Sequence, residues 1–267
     1  MKKYCLMLTI LLKVVVFSQQ IQVIESYESP TPIDTWTIDG QQNLIVASKN
    51  NLQKKAIKGE RRFNQTFKSM GDIQSISPVN ALKIILFSEV QQTIVQLDNT
   101  LTQQGDELDL NELGFSNVAQ ICASNRPNLI WVFDQFRSSL NLVDFQKSTI
   151  LLTVQNVEQG NHIVQLKEYQ EHLFVLFSDG KMKQYDFLLN LSGSYDLNNC
   201  QQFDCWNDQL VCFSSKQAGL QFVPIDTRSA QINSEITLEM PFSAFKIQGN
   251  ILGIQNGQKI SLFSIKM

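Results

Sequence analysis

In this 267-residue chain few side chains are spaced for chemistry. His162 and His172 are its only histidines; on adjoining strands they approach each other, but a metal site needs further ligands in convergent geometry. No CxxC pair or other metal-ligand spacing supplies them. No GxSxG elbow presents a nucleophilic serine, and the 12 glycines form no GxGxxG or other phosphate-binding loop. Asp98, Asp144, Asp186 and Asp226 recur at matching places and offer oxygen ligands, of which calcium takes about six to eight. Each also stands where a strand enters a turn, and there an Asp carboxylate accepts hydrogen bonds from its own following backbone. Spread one to a repeat, the four are too far apart to share an ion, so turn formation is their expected role. No cofactor is expected.

Two charged stretches remain. Lys54, Lys55, Lys58, Arg61, Arg62 and Lys68 make one segment basic; Asp106, Glu107, Asp109 and Glu112 make a later one acidic. With a formal net charge of −3 there is no global positive field to draw in nucleic acid. On opposite faces of a folded domain the two stretches would orient a protein partner; otherwise they are solvated loops. Of the cysteines, Cys200 and Cys205 are near enough in sequence to pair, while Cys122 and Cys212 read as small core residues.

The elements that must position these residues repeat. Apolar strand-like runs occur at NLIVAS (43–48), LKIILFS (82–88), NLIWVFD (128–134), HLFVLFSD (172–179), QLVCFS (209–214) and NILGIQN (250–256). Their spacing of roughly 40–45 residues is that of a four-stranded propeller blade. Each run has a predecessor strand and a follower, and the followers at 93–98, 140–144, 182–186 and 220–226 end in Asp. Asp39-Gly40, Asp179-Gly180 and Asn256-Gly257 mark hairpins, for which positive φ at both central residues is expected. The sixth unit has room for three strands, and the alternating segment Ile21–Tyr27 is free to supply its fourth and close the ring. The expectation is an all-β propeller of six four-stranded antiparallel blades; an open sandwich or barrel of the same hairpins is the alternative. A 43% hydrophobic content fills such a core, and 18% charged residues disfavours a disordered chain.

The start of the chain reads differently. Lys2 and Lys3, an apolar run from Tyr4 to Phe17 and small Ser18 before Gln19 and Gln20 form a secretory leader. The run is short for a membrane span and Lys13 interrupts it, so cleavage near Ser18 is expected, with a retained N-terminal anchor as the alternative. The domain reading is therefore a signal peptide at 1–18, carrying Cys5, and a single propeller at 19–267 with no membrane span after cleavage. The stretch from Leu82 to Gln135 resembles a group of uncharacterised exported propeller-like envelope proteins of flavobacteria and their relatives, as does the leader ending Phe17-Ser18-Gln19-Gln20. That resemblance implies fold and export to the periplasm or surface of a Gram-negative bacterium, and carries no functional residues across.

On a propeller, the innermost strands would carry Trp36, Ser75, Ser77, Gln120, Cys122, Gln165, Asp204 and Lys246 toward the central channel, with a single carboxylate among them. Calcium-dependent six-bladed lactonases and esterases gather carboxylates there, so this set makes a poor metal cup. The expected function is non-catalytic: binding a protein partner or scaffolding in the envelope. A metal-dependent hydrolase with a channel site and a small-ligand or glycan sensor are the alternatives. Trp131 reads as inter-blade packing, and Trp206 as packing or an interface anchor.

Overall fold

A computed structural model describes residues 20–157, 161–197, 199–214, 219–225, 232, 234–237 and 241–266. The expected leader at 1–18, the start of the mature chain at Gln19, and Asp226 lie outside the described residues. Strand β1 (Gln20–Glu28) precedes the first blade, which holds β2 (Thr35–Ile38), β3 (Asn43–Ser48), β4 (Asn51–Ala56) and β5 (Arg62–Thr66). Blade 2 holds β6 (Ser75–Asn80), β7 (Lys83–Ser88), β8 (Thr93–Asp98) and the short β9 (Leu108–Asp109). Blade 3 holds β10 (Val118–Ala123), β11 (Leu129–Asp134), β12 (Ser139–Asp144) and β13 (Thr149–Val154). Blade 4 holds β14 (Ile163–Tyr169), β15 (His172–Phe177), β16 (Lys181–Tyr185) and β17 (Leu191–Asp196). Blade 5 holds β18 (Gln202–Trp206), β19 (Gln209–Ser214), β20 (Gly219–Pro224) and β21 (Ser234–Thr237). Blade 6 is built from β22 (Ala244–Gln248), β23 (Ile251–Asn256) and β24 (Lys259–Lys266), with β1 as its outer strand.

The six sheets are four-stranded and antiparallel, and the N-terminal strand closes the ring as its alternating pattern predicts. β1 pairs with β24 from Gln20↔Lys266 to Glu28↔Lys259, with an irregularity between Val23 and Glu25. No described residue is helical, so no helix is long and apolar enough to cross a membrane.

Each second strand is a continuous apolar run because both of its faces are covered. β7, β11, β15 and β19 are buried along nearly their whole length. The outer strands β5 and β13, on the rim, are mostly exposed instead. The core is divided between blades: Ile45, Leu52, Ile76 and Leu86 meet between blades 1 and 2, and Trp36, Val46, Ile251 and Leu262 between blades 6 and 1. Glutamines add a polar clamp. Gln165 donates from Nε2 to the Phe203 carbonyl (2.8 Å) and accepts from the Phe203 N–H at Oε1 (3.1 Å). Gln202 does the same to Phe245, at 2.9 and 3.0 Å. A primary amide is the side chain that matches a backbone N–H and C=O together.

The hairpins differ in part from the sequence reading. Of the Asp179-Gly180 pair only Gly180 has positive φ (+84°); it ends a four-residue turn by donating to the Phe177 carbonyl at 3.0 Å. In the last blade Asn256 pairs with Lys259, so the two-residue loop is Gly257-Gln258, with Gly257 at φ +58°. The turns with two positive φ values contain no glycine: Gln170-Glu171 (48° and 63°) and Asn207-Asp208 (46° and 60°).

Two backbone positions yield opposite expectations. A Cβ on Gly253 would lie 2.6 Å from Trp36 Cη2 and 2.7 Å from Cζ3. Gly253→Ala is expected to cost about 1–3 kcal/mol through overpacking, whereas Gly40→Ala, with nothing within 4 Å of its added Cβ, stays within about 0.5 kcal/mol of the parent. Glu171→Gly relieves a left-handed residue and is expected to stabilise by up to about 1 kcal/mol. Urea unfolding midpoints at constant m-value measure all three.

Candidate functional site

The inner strands share one register. Their buried apolar residues Trp36, Ile76, Ile121, Leu166, Phe203 and Phe245 pair with Val46, Leu86, Val132, Val175, Cys212 and Ile254, the fourth residue of the neighbouring strand in every blade. The next residue of each inner strand turns the other way, into the channel. Those six residues, in blade order, are Thr37, Ser77, Cys122, Lys167, Asp204 and Lys246, and all of them line a central cavity of about 450 Å³. Gly40, Asn80, Ala81, Asn125 and Gln248 line it toward the turns that join first and second strands.

Asp204 is the centre of this ring. It is 2% exposed and satisfied on both oxygens. Lys167 Nζ donates to Oδ1, as does the Cys205 N–H at 2.8 Å, while the Ile247 N–H donates to Oδ2 at 3.0 Å. One carboxylate thus ties blades 4, 5 and 6 together. Burial works against the Lys167 charge, but Asp204 outweighs it and the amine is pushed up to about 12. Lys246 has no such partner: its side chain makes no hydrogen bond or ion pair with a described residue. Burial lowers its pKa, with Asp204 opposing and Lys167 reinforcing that shift.

Burial pushes the Cys122 thiol up to about 11; its sulfur accepts the Glu168 N–H at 3.2 Å and donates to the Ala123 carbonyl at 3.3 Å. It is not an activated nucleophile, which would need a depressed pKa. Burial raises Cys205 as well, and Cys212 is raised by a hydrogen bond with Cys200 and by burial. The four described cysteines are free thiols; Cys200, Cys205 and Cys212 share one buried cluster, in which Cys200 is hydrogen-bonded to Cys212. Glu168 lines the cavity as well, accepting from the Asn125 N–H (2.9 Å) and from Trp131 Nε1.

Of the channel residues expected from sequence, Ser77, Cys122, Asp204 and Lys246 lie in the ring. Gln165 also lines the cavity, two residues before Lys167, whereas Ser75 and Gln120 precede the ring on their strands, and Trp36 points into the blade interface, donating from Nε1 to Gln255 Oε1 at 2.6 Å. Lys167 and Thr37 were not expected there. The signal that finds them is the alternation counted from Leu166 and Trp36, legible only once the register is known. Among the described residues no three His, Cys, Asp or Glu side chains are grouped to hold a metal. His162 Nδ1 lies 3.3 Å from Gln135 Nε2, and His172 pairs across a hairpin with Tyr169; neither histidine lines the cavity.

The turn aspartates behave as turns. Asp98 Oδ1 accepts the N–H groups of Thr100 (2.8 Å) and Thr102 (2.9 Å), and Asp186 those of Leu188 (2.9 Å) and Asn190 (2.8 Å). Asp144 accepts more weakly from Gln146 and Lys147. The charged stretches are split by the fold. Lys54 is 4% exposed and bonded to buried Asp39 at 2.8 Å, and Lys55 pairs with Glu25 of β1, joining blade 1 to blade 6. Lys58, Arg61, Arg62 and Lys68 are exposed. Asp106 and Glu107 belong to the β8–β9 connection within blade 2, with Glu107 accepting from Ser69 Oγ at 2.8 Å; Asp109 and Glu112 end β9 and begin the passage to blade 3.

The fold and site thus define a six-bladed β-propeller with a polar central channel. No protein family and no curated protein matches the sequence. Among solved structures, the Neurospora crassa Pan2 WD40 domain superposes with a TM-score of 0.61 at 8% identity, over 91% of this chain and 95% of that one. A chain of a mitotic checkpoint complex superposes at 0.66 and 10% identity, over 100% and 99%. Chaetomium thermophilum Raptor superposes at 0.62 and 10% identity, over 93% of this chain but 29% of the other. At these identities the likeness shows the fold.

The ring makes a paired prediction. Asp204→Asn leaves Lys167 without its ion-pair partner and is expected to destabilise by about 3–5 kcal/mol, the cost of breaking a buried pair from one side. Lys246→Met is expected to be neutral or stabilising at pH 7. Because the folded pKa of Lys246 lies below its ordinary 10.5, the unfolded chain binds more protons between the two values. Stability of the parent relative to Lys246→Met therefore rises with pH in that window. Denaturant titrations of both proteins from pH 7 to 10 give the slope.

Proposed function

We propose that this chain is a non-catalytic propeller that binds a protein partner through the rim of blades 3 and 4, and that it is exported. The observation that carries the binding reading is an uncharged, unpaired edge beside exposed apolar side chains. β13 reads Thr-Ile-Leu-Leu-Thr-Val, pairs only with β12, and exposes Ile150 (40%) and Leu151 (49%). Its Leu152 and Val154 pack with Tyr185 and Leu189 of blade 4, which brings the β16–β17 turn alongside. That turn and the strand after it expose Phe187, Leu188 and Leu191. Arg126 of blade 3 lies 5.9 Å over the Phe187 ring.

Sheet edges are ordinarily guarded by charge, proline or a bulge that turns the edge away. This edge carries neither charge nor proline; its one irregularity, at Leu151, leaves that side chain exposed, and exposed apolar residues beside it are the mark of a contact site. A propeller of the same build in a mitotic checkpoint complex lends support to a role among protein partners. The reading of export, to the periplasm or cell surface, rests on Lys2, Lys3, the apolar run to Phe17 and the small Ser18.

The test is a pull-down from the native envelope fraction, with and without chelator, using the parent, Leu151→Lys/Leu188→Glu, and Lys58→Glu/Arg61→Glu. A stoichiometric protein retained by the parent and the basic-hairpin variant, indifferent to chelation and lost from the apolar-rim variant, is the expected result. Retention by the rim variant, or no stoichiometric protein at all, overturns the proposal. Mass spectrometry of the chain recovered from its own cells should give an N-terminus near Gln19; a chain still carrying residues 1–18 overturns export with cleavage.

A further inference from the structure

The cavity lining carries two ammonium groups, Lys167 and Lys246, and two carboxylates, Asp204 and Glu168. Asp204 gives Oδ1 to Lys167 and the Cys205 N–H, and Oδ2 to the Ile247 N–H. Glu168 gives Oε1 to the Asn125 N–H and Oε2 to Trp131 Nε1. Both carboxylates are engaged by other groups, and the Lys246 amine makes no hydrogen bond or ion pair with a described residue. It faces a cavity of about 450 Å³, within the range of small-molecule pockets. Exposed Gly40, Asn80, Asn125 and Gln248 line the same cavity, so that end of it is open to solvent. Thr37, on the neighbouring inner strand, and Ser77, one blade further, bring hydroxyl groups to the same space.

From this we infer that Lys246 is a nucleophilic amine that holds a small aldehyde or ketone in the central channel as a reversible imine. A primary amine with no partner, facing a polar cavity, is free to add to a carbonyl carbon. The unprotonated Nζ attacks that carbon and the C–N bond forms. The C–O bond then breaks, and the oxygen leaves as water with both protons of the amine. No oxidant or reductant takes part, and water reverses the reaction. The charge balance selects an uncharged carbonyl compound. With both lysines protonated the two charges of each sign cancel, and a protonated imine carries the same charge as the ammonium it replaces. A neutral ligand keeps that balance; an anion upsets it. Burial lowers the Lys246 pKa, with Lys167 reinforcing the shift and Asp204 and Cys122 opposing it, so more of the amine is unprotonated than at a surface lysine. Desolvation beside a second cation is one way a lysine is activated for this chemistry. Lys167 is the contrasting case, since Asp204 holds it protonated. The hydroxyls of Thr37 and Ser77 are the donors available to the carbonyl oxygen. The site is separate from the apolar rim, so it stands or falls independently of the protein-binding reading.

The test is reductive trapping of the full chain with propanal or benzaldehyde and sodium cyanoborohydride at neutral pH, with peptide mapping by mass spectrometry to locate the alkylated lysines. Lys246 is expected to be labelled at least about tenfold faster than exposed Lys58 and Lys68, because a carbonyl held beside the amine reacts as an intramolecular partner. Its rate should saturate with aldehyde, and the preference should vanish in guanidinium chloride, where the channel is gone. Lys246→Arg, which keeps the cation but forms no imine, should lose the fast phase, and the outer-surface control Lys147→Met should keep it, once the circular dichroism of both matches the parent. The mapping on the parent needs no variant to fold. Labelling of Lys246 no faster than that of Lys58 and Lys68, a rate that rises linearly with aldehyde, the same preference in the unfolded chain, or a fast phase retained by Lys246→Arg overturns the assignment.

Discussion

A propeller blade has two apolar faces, and neither can be left wet. Everything else in this fold follows from that constraint. Blade 1 covers Ile76 and Leu86 of blade 2 with Ile45 and Leu52, and each neighbour repeats the arrangement until Trp36 and Val46 of blade 1 come up against Ile251 and Leu262 of blade 6. A linear stack would expose one such face at each end, so the stack must become a ring. The covalent order of the chain then requires some latch between its ends, and the pairing of β1 with β24 provides it. The latch is reinforced away from the backbone: Lys55 of blade 1 pairs with Glu25 of β1, and Tyr27 donates to Gln53 Oε1 at 3.0 Å. Closure is therefore held by the ladder of blade 6 and by side chains that bind its added strand to blade 1.

Closing the ring gathers one residue of each inner strand around a common axis, and this is where polar side chains become expensive. The structure answers unevenly. Between blades 4, 5 and 6 the cost is met by bonding across blades, through Gln165, Gln202 and the Lys167–Asp204 pair. A buried pair of this kind adds little net stability over a well-packed apolar substitute, yet breaking it from one side is severe. Its value lies in fixing how three blades meet, since Asp204 can satisfy both oxygens only when the Ile247 N–H of blade 6 is in place. Between blades 6 and 1 the bonding across blades runs outside the ring, from Trp36 Nε1 to Gln255 Oε1.

The parts of this architecture that were legible in the sequence are those that depend on burial alone. Six continuous apolar strands, their period, and the unpaired strand near the N-terminus all follow from where water is excluded. The turn aspartates were legible for a similar reason, because Asp98 and Asp186 act only on the residues next to them. Turn geometry was legible in part. Glycine marks positive φ at Gly180 and Gly257, but Gln170, Glu171, Asn207 and Asp208 adopt it without any such mark, held there by the strands on either side. Lys54 and Lys55 read as part of a basic surface because charge in a sequence carries no sign of burial; their partners, Asp39 and Glu25, are distant in sequence. Lys167 was overlooked for a related reason. β14 slips register between Ile163 and Gln165, and that slip decides which way Lys167 faces.

The rim and the channel are consequently under different physical controls. The rim of blades 3 and 4 is apolar where β13 and the β16–β17 turn emerge from a shared core, so its exposed residues are an extension of the packing that joins those blades. Changing them alters a surface without disturbing the ring. The channel residues are the opposite case: each sits one step from a core residue on a strand that every neighbouring blade grips. A substitution at Asp204 propagates into the contact of three blades. One at Lys246 removes a charge that the fold itself does not use. That separation lets a single domain present an outer contact surface and an inner polar site without either constraining the residues of the other.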